Sequence, residues 1–152
     1  MATAKTYTFP VGVRWLSRRL TRVSVPGKHD LRVATPPEFR GGSEGVWSPE
    51  DLLVASAASC YAVTLLAMAE RRGVPLRALD VGAAGQVGRR DDGRFGFVHV
   101  DLDVHVRTDP GEEDAAKQVA EDAEHGCLVA QSLAVPVRVH VEVDRPAAAL
   151  AS

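Results

Sequence analysis

Cysteine is almost missing from this sequence, with only Cys60 and Cys127 in 152 residues. Two thiols leave three readings: inert small core residues, a redox couple, or metal ligands joined by His125. No close-spaced ligand pair marks a zinc site. An excess of either charge is missing too. Eighteen basic and twenty acidic side chains give a formal charge of -2, so no broad field draws the chain to nucleic acid or anionic lipid. A small-molecule substrate is favoured instead. Internal repeats and low-complexity tracts are absent. Residues 1–13 lack the short apolar run followed by small residues that marks a secretory signal. A cytoplasmic protein is therefore expected, with its thiols kept reduced. Any Cys60 to Cys127 bond there would be transient, formed and broken in turnover.

Hydrophobic residues make up 45% of the chain, enough for the core of a single domain, here 1–152, or of one domain completed by a partner. Tyr7, Phe9, Val11, Val13 and Trp15 fall on every second position, the period of a half-buried strand. Leu20–Val25 and Leu31–Ala34 read as two further strands, with a turn at Pro26-Gly27. Thr35–Trp47 carries two prolines and three glycines and predicts a mobile, functional loop.

Ser48-Pro49-Glu50-Asp51 predicts a helix start, with Ser48 as cap, Pro49 in the first helical position and Asp51 reaching back. Arg71, Arg72, Gly73 and Pro75 predict its end. Leu52–Ala69 between them is apolar or small on every face. Its length approaches that of a membrane span, but the run is rich in Ala and Ser, is firmly capped and is flanked by alternating strands. A buried helix of a globular protein, with no membrane, is the better reading. One chain of this size has little material to cover such a helix. A second copy covering one side is therefore expected, the small residues Ala55, Ser56, Ala58, Ser59 and Ala62 allowing close approach.

Leu79–Val87 and a strand through Val98, Val100, Leu102, Val104 and Val106 flank a turn at Asp91-Asp92-Gly93. His99, Asp101, Asp103 and His105 occupy the other face, expected to be solvated rather than metal-binding. A weakly amphipathic surface helix is predicted from Asp109-Pro110 to about His125-Gly126. A short helix over Cys127–Leu133 and a strand over Val137–Val143 follow, and the tail from Asp144 is expected to fray.

The chemistry turns on Cys60. A thiol in an apolar helix has its pKa raised unless a positive charge favours the thiolate, and Arg14, Arg18, Arg19 and Arg22 are the candidates. Glu50 lies ten residues before Cys60, about 15 Å along the helix axis. The two cannot touch, but an arginine held by Glu50 could lie between them; alternatively Glu50 is simply an acid at the positive end of the helix dipole. Cys127, after Gly126 and at a helix start, suits a resolving thiol or a buried small residue.

The segment Ser48-Pro49-Glu50-Asp51-Leu52-Leu53-Val54-Ala55-Ser56-Ala57-Ala58-Ser59-Cys60, with Cys127 in a Cys-Leu-Val-Ala-Gln-Ser-Leu context and a Val-rich last strand, resembles the OsmC/Ohr family of osmotically inducible and organic hydroperoxide resistance proteins. The resemblance implies an α+β fold, with antiparallel sheets wrapped around long buried central helices in an intertwined homodimer. It also implies a thiol-dependent peroxidase that reduces organic hydroperoxides to alcohols in the oxidative stress response. By position, Cys60 is the peroxidatic thiol, Cys127 the resolving thiol and Glu50 the carboxylate holding the arginine, for which Arg22 is chosen over Arg18 or Arg19. A dithiol reductant, of lipoyl type, restores the thiols, and neither a metal nor a cofactor is required. Two features depart from the pattern. Leu128, Val129 and Ala130 follow the second cysteine where many relatives have a proline and then a serine-asparagine pair, and few aromatics are available to line a lipid-peroxide pocket. The alternative is a non-catalytic protein of the same fold that binds a small apolar ligand or partner at the dimer cleft.

Overall fold

The structure, a computed structural model, describes residues 4–144. The tail expected to fray lies outside the described residues, apart from Asp144. The chain divides into two compact units, Met1–Leu52 and Leu53–Ser152.

In the first unit, strands β1 (Gly12–Ser17), β2 (Leu20–Ser24) and β3 (Leu31–Ala34) form an antiparallel sheet in chain order. The pairing sets Val13 against Val23 and Val23 against Leu31, with Arg14 against Arg22 and Arg22 against Arg32 on the opposite face. The strand expected from Tyr7 starts only at Gly12. Gly12 pairs with Ser24, the last residue of β2, so earlier residues have no ladder partner among the described residues. Tyr7, Phe9, Val11, Val13 and Trp15 all stay exposed. The loop 35–47 is irregular, as expected, but tied rather than loose. Phe39 N–H donates to Pro36 O, Gly42 N–H to Phe39 O and Ser43 N–H to Thr35 O, while Ala34 N–H closes on Trp47 O.

Helix α1 (Pro49–Arg72) begins in the first unit and supplies the long helix of the second. Its start is a capping box: Asp51 N–H donates to Ser48 Oγ at 3.0 Å and Ser48 N–H donates to Asp51 Oδ2 at 2.8 Å. Ser48→Ala should therefore lower stability by about 1 kcal/mol, read from chemical denaturation. The helix stops where Gly73, at φ 68, turns left-handed. Gly73 N–H then reaches Glu70 O and Val74 N–H reaches Ala69 O.

The second sheet contains β4 (Leu76–Arg89), β5 (Phe95–Thr108) and β6 (Val137–Asp144), with β5 central. β4 pairs antiparallel to β5, but β6 pairs parallel to it, so this sheet is mixed where an antiparallel one was expected. The intervening helices α2 (Glu113–Gly126) and α3 (Leu128–Ser132) return the chain to the end at which β5 began, which makes a parallel strand possible. Val100, Leu102, Val104 and Val106 of β5 are buried with Ala57, Tyr61 and Leu65 of α1 and Ala116, Ala120 and Ala123 of α2.

Two expectations about α2 need correction. It starts at Glu113, after Gly111 takes a left-handed φ of 90, and Asp109, taken as its opening residue, is forked by Arg77 through two bonds of 2.6 Å. It is also strongly two-faced: Ala116, Val119, Ala120 and Ala123 form a buried stripe, missed because alanine contributes little to a hydrophobic pattern. On β5, His99 pairs with Asp101 at 3.1 Å and His105 with Glu142 at 3.3 Å.

Among the described residues the fully buried positions of α1 form one stripe, Ala57, Tyr61, Leu65 and Ala69, with Leu53, Val54, Ala58, Cys60 and Met68 partly buried beside it. The helix is long and apolar enough to cross a membrane by length and composition, yet that stripe belongs to the core just described, where Tyr61 Oη donates to Ala120 O at 2.7 Å. Val63 and Leu66 on the outer side are 61% and 47% exposed.

Candidate active site

Cys60 lies on α1, three residues beyond the buried Ala57. Cys127 lies between α2 and α3, where an extended backbone (φ -74, ψ 108) breaks one helix and starts the next. The side chain of Cys127 is wholly buried, its Sγ 4.0 Å from Ala57 O on α1. Gly126 permits this approach. A β-carbon there would lie 3.1 Å from Thr64 Cγ2 and 3.7 Å from Met68 Sδ, so a larger residue would push the end of α2 away from α1. The fold thus brings together two thiols separated by 67 positions, near enough for each to shift the acidity of the other, and both are free.

The surroundings drive the two thiols apart in acidity. Burial pushes Cys60 up, but this is outweighed by hydrogen bonds to its sulfur from the Val129 amide, the Cys127 thiol, the Leu128 amide and the Thr64 hydroxyl, and its pKa falls below the ordinary thiol value. Burial also pushes Cys127 up. The Ala130 and Val129 amides oppose this, while its hydrogen bond and charge interaction with Cys60 reinforce it, and its pKa is raised. The first proton lost from the pair is therefore favoured to leave Cys60, with Cys127 keeping its own. Alkylation tracks the thiolate fraction. Iodoacetamide should therefore label Cys60 at a lower pH than Cys127, a result that peptide-resolved mass spectrometry can read directly.

Sequence reasoning looked for an arginine as the partner of Cys60; the groups that lower the pKa of this thiol among the described residues are two backbone amides, a hydroxyl and the second thiol, none of which it named as such. Thr64 was legible in principle, being four residues after Cys60 on the same helix. The amides of Leu128 and Val129 were not, since every residue but proline has one.

The remaining candidates belong to the first unit. Arg22 is the middle member of the Arg14, Arg22, Arg32 row, facing away from Val23, and its Nε is 3.8 Å from Asp30 Oδ2 with both side chains about half exposed. Arg18 has a positive φ of 45, and its carbonyl accepts a bond from Trp15 Nε1 at 3.0 Å. Arg19 donates to Arg40 O. Glu50, in the first turn of α1, has its Oε2 buried without a hydrogen-bond partner among the described residues, a state that costs free energy. His125 is exposed, and no group of three His, Cys, Asp or Glu side chains is gathered for a metal among the described residues.

Known proteins place this arrangement in context. The uncharacterized protein YmaD of Bacillus subtilis (strain 168) is 28% identical over 116 residues, covering 74% of this chain and 76% of that protein. An OsmC-like protein of unknown function from Vibrio cholerae, VCA0330, shares the fold with a TM-score of 0.83 at 17% identity, covering 90% of this chain and all of that one. An organic hydroperoxide resistance protein from Elizabethkingia anophelis gives 0.74 at 21% identity, covering 95% of this chain and all of that one. At these identities the structural likeness concerns the fold. The sequence model for OsmC-like proteins matches residues 41–142, a stretch that includes both cysteines, Glu50 and the capping box, and the chain belongs to that family.

Proposed function

We propose that this protein is a cysteine-based peroxidase that reduces organic hydroperoxides to alcohols at the expense of a dithiol. The observation that carries this reading is the paired thiol site, in which Cys127 packs against the Cys60 helix with its Sγ 4.0 Å from Ala57 O and the two thiols are shifted in opposite directions, Cys60 lowered and Cys127 raised. The relationship to organic hydroperoxide resistance proteins supports the choice of oxidant.

In this mechanism the Cys60 thiolate attacks the distal oxygen of the hydroperoxide, and the O–O bond breaks. The leaving alkoxide takes up a proton and departs as the alcohol. Cys127 is the nearest stored proton, and giving it up makes Cys127 the thiolate needed for the next step. It attacks the Cys60 sulfenic acid, expels hydroxide, which takes a proton from solvent and leaves as water, and closes the disulfide. A dithiol of lipoyl type then reduces the disulfide by exchange, being oxidised in turn. Every step runs through protein thiols, with no resident metal or cofactor.

Glu50 is assigned to hold an arginine of the site, as a guanidinium would satisfy its orphaned Oε2. Arg22 is the first choice and must leave Asp30 to serve; Arg18 and Arg19 are the alternatives. The working unit is a homodimer, a reading supported by two exposed apolar surfaces: Val63 and Leu66 on α1, and Val13, Trp15 and Leu31 on the first sheet. A cytoplasmic location, where a reducing pool sustains turnover, completes the proposal.

The test is steady-state consumption of cumene hydroperoxide with dihydrolipoamide as reductant. Sustained turnover is expected; no consumption above the protein-free rate would contradict the proposal. The rival, a binding protein whose thiols stay reduced, draws on the open groove of about 720 Å³ lined by Val63, Thr64, Ala67, Glu70 and Arg71. It predicts that failure, together with saturable binding of an apolar probe.

A further inference from the structure

On the solvent-facing side of β5 and β6 the register sets Asp101 against Arg138, Asp103 against His140, His105 against Glu142 and Arg107 against Asp144. Every basic side chain there stands opposite an acid. Opposite charges so placed stabilise a sheet, whereas like charges directly opposite one another weaken it. The first sheet does the reverse. Arg14 stands against Arg22 and Arg22 against Arg32, one guanidinium from each of three strands, all on one face and all exposed.

Neighbouring strands lie about 4.8 Å apart, so the row spans about 10 Å. Among the described residues its one counter-charge is Asp30, half exposed and 3.8 Å from Arg22 Nε, and the guanidinia of Arg14 and Arg32 have neither an ion pair nor a hydrogen bond. The excess is local. Residues 12–34 hold six lysines and arginines and one acid, in a chain whose formal charge is -2. Gly12 and Ser24 flank the row on the same face, and a β-carbon at Gly12 would meet only Ser24 O, at 3.9 Å. The space over the sheet beside the row is therefore open. Trp15, the aromatic residue of these strands, is on the other face with Val13. The row thus offers charge without the stacking platform that a nucleobase or a single-stranded nucleic acid would use.

We propose that the row of Arg14, Arg22 and Arg32 is a binding site for an oligophosphate, a chain of three or more phosphates laid across the three strands. Guanidinium forks match phosphate oxygens two at a time. A single phosphate cannot serve the whole row, whereas a chain brings anionic oxygens to every fork and relieves the repulsion between them. The site is separate from the thiols, and its occupation involves no redox step.

The test is isothermal titration calorimetry of the full chain with sodium tripolyphosphate at low salt. Saturable binding is expected, about tenfold or more tighter than that of inorganic monophosphate. Arg14→Gln and Arg32→Gln should each weaken it about three- to tenfold, and Arg14→Lys, which keeps the charge but not the fork, should recover part of the loss. Arg22 is left unchanged, because it is also the first choice to serve Glu50. Arg107→Gln, which removes a cation from the second sheet, should leave the affinity as it was. Taking one cation out of a like-charged row should hold or raise the thermal unfolding midpoint without ligand, which separates weaker binding from loss of fold. Adenosine triphosphate distinguishes a nucleotide from a free chain: with no platform for its base, it should bind no more tightly than tripolyphosphate. The proposal is overturned by an absence of saturable binding, by monophosphate binding as tightly as tripolyphosphate, by a nucleotide binding about tenfold more tightly, or by an equal loss in Arg107→Gln.

Discussion

Cys60→Ser is expected to reduce consumption of cumene hydroperoxide by roughly 10⁴-fold or more, to the protein-free rate. The size of the effect follows from the chemistry, since the reaction breaks an O–O bond by attack of an ionised sulfur. A serine hydroxyl in the same place is neither ionised near neutral pH nor as good a nucleophile toward peroxide oxygen. The groups that favour the Cys60 thiolate, the Val129 and Leu128 amides and the Thr64 hydroxyl, cannot bring a hydroxyl into the same range. Cys127→Ser should behave differently. It leaves the nucleophile in place, so the first turnover should persist and the sulfenic acid should accumulate unresolved. Equal loss in both variants would mean that the two thiols do not divide the work as proposed.

Leu65→Ala has the largest expected effect on the fold, a loss of about 2–5 kcal/mol. Leu65 is fully buried, packed with Tyr61, the β5 valines and the α2 alanines. Removing most of its side chain leaves a cavity that rigid neighbours on a sheet and two helices cannot collapse to fill. Its neighbour on α1 provides the control. Leu66 is 47% exposed in the isolated chain, and Leu66→Ala should cost well under about 1 kcal/mol there. In a homodimer that covers this face, the cost of Leu66→Ala should instead depend on protein concentration. Denaturation of both variants at several concentrations separates the two contributions. A Leu65→Ala protein as stable as its parent would contradict the core described above.

The same contrast shows what the sequence could reveal. The α1 boundaries were legible because Ser48, Asp51 and Gly73 act locally: each satisfies backbone groups within a few residues of itself. The strands β2 and β3 and the apolar face of β5 were legible from period-two patterning. β1 was overextended because an alternating pattern records which face a residue would bury, and not whether a neighbouring strand is long enough to pair with it. The stripe on α2 was hidden because Ala116, Ala120 and Ala123 are small, and a small side chain is buried by close approach of its neighbours rather than by its own hydrophobicity.

The candidate site divides along the same line. Cys60 and Cys127 could be singled out because thiols are rare in this chain. That Cys127 packs against the helix carrying Cys60 depends on the bare backbone of Gly126 lying against Thr64 and Met68, a tertiary contact that no spacing encodes. The search for a charged partner for Cys60 overlooked the backbone itself. Amides at the start of α3 also favour the Cys60 thiolate, and nothing in the identities of Leu128 and Val129 announces it.

The central claim is that Cys60 and Cys127 form one redox couple. Its most direct test is the mass of the reduced protein after one equivalent of cumene hydroperoxide, followed by a peptide map without reductant. The account predicts a fall in mass equal to two hydrogens and a single cross-linked peptide pair joining Cys60 to Cys127. An unchanged mass, or oxygen added at Cys60 while Cys127 remains a free thiol, would contradict it.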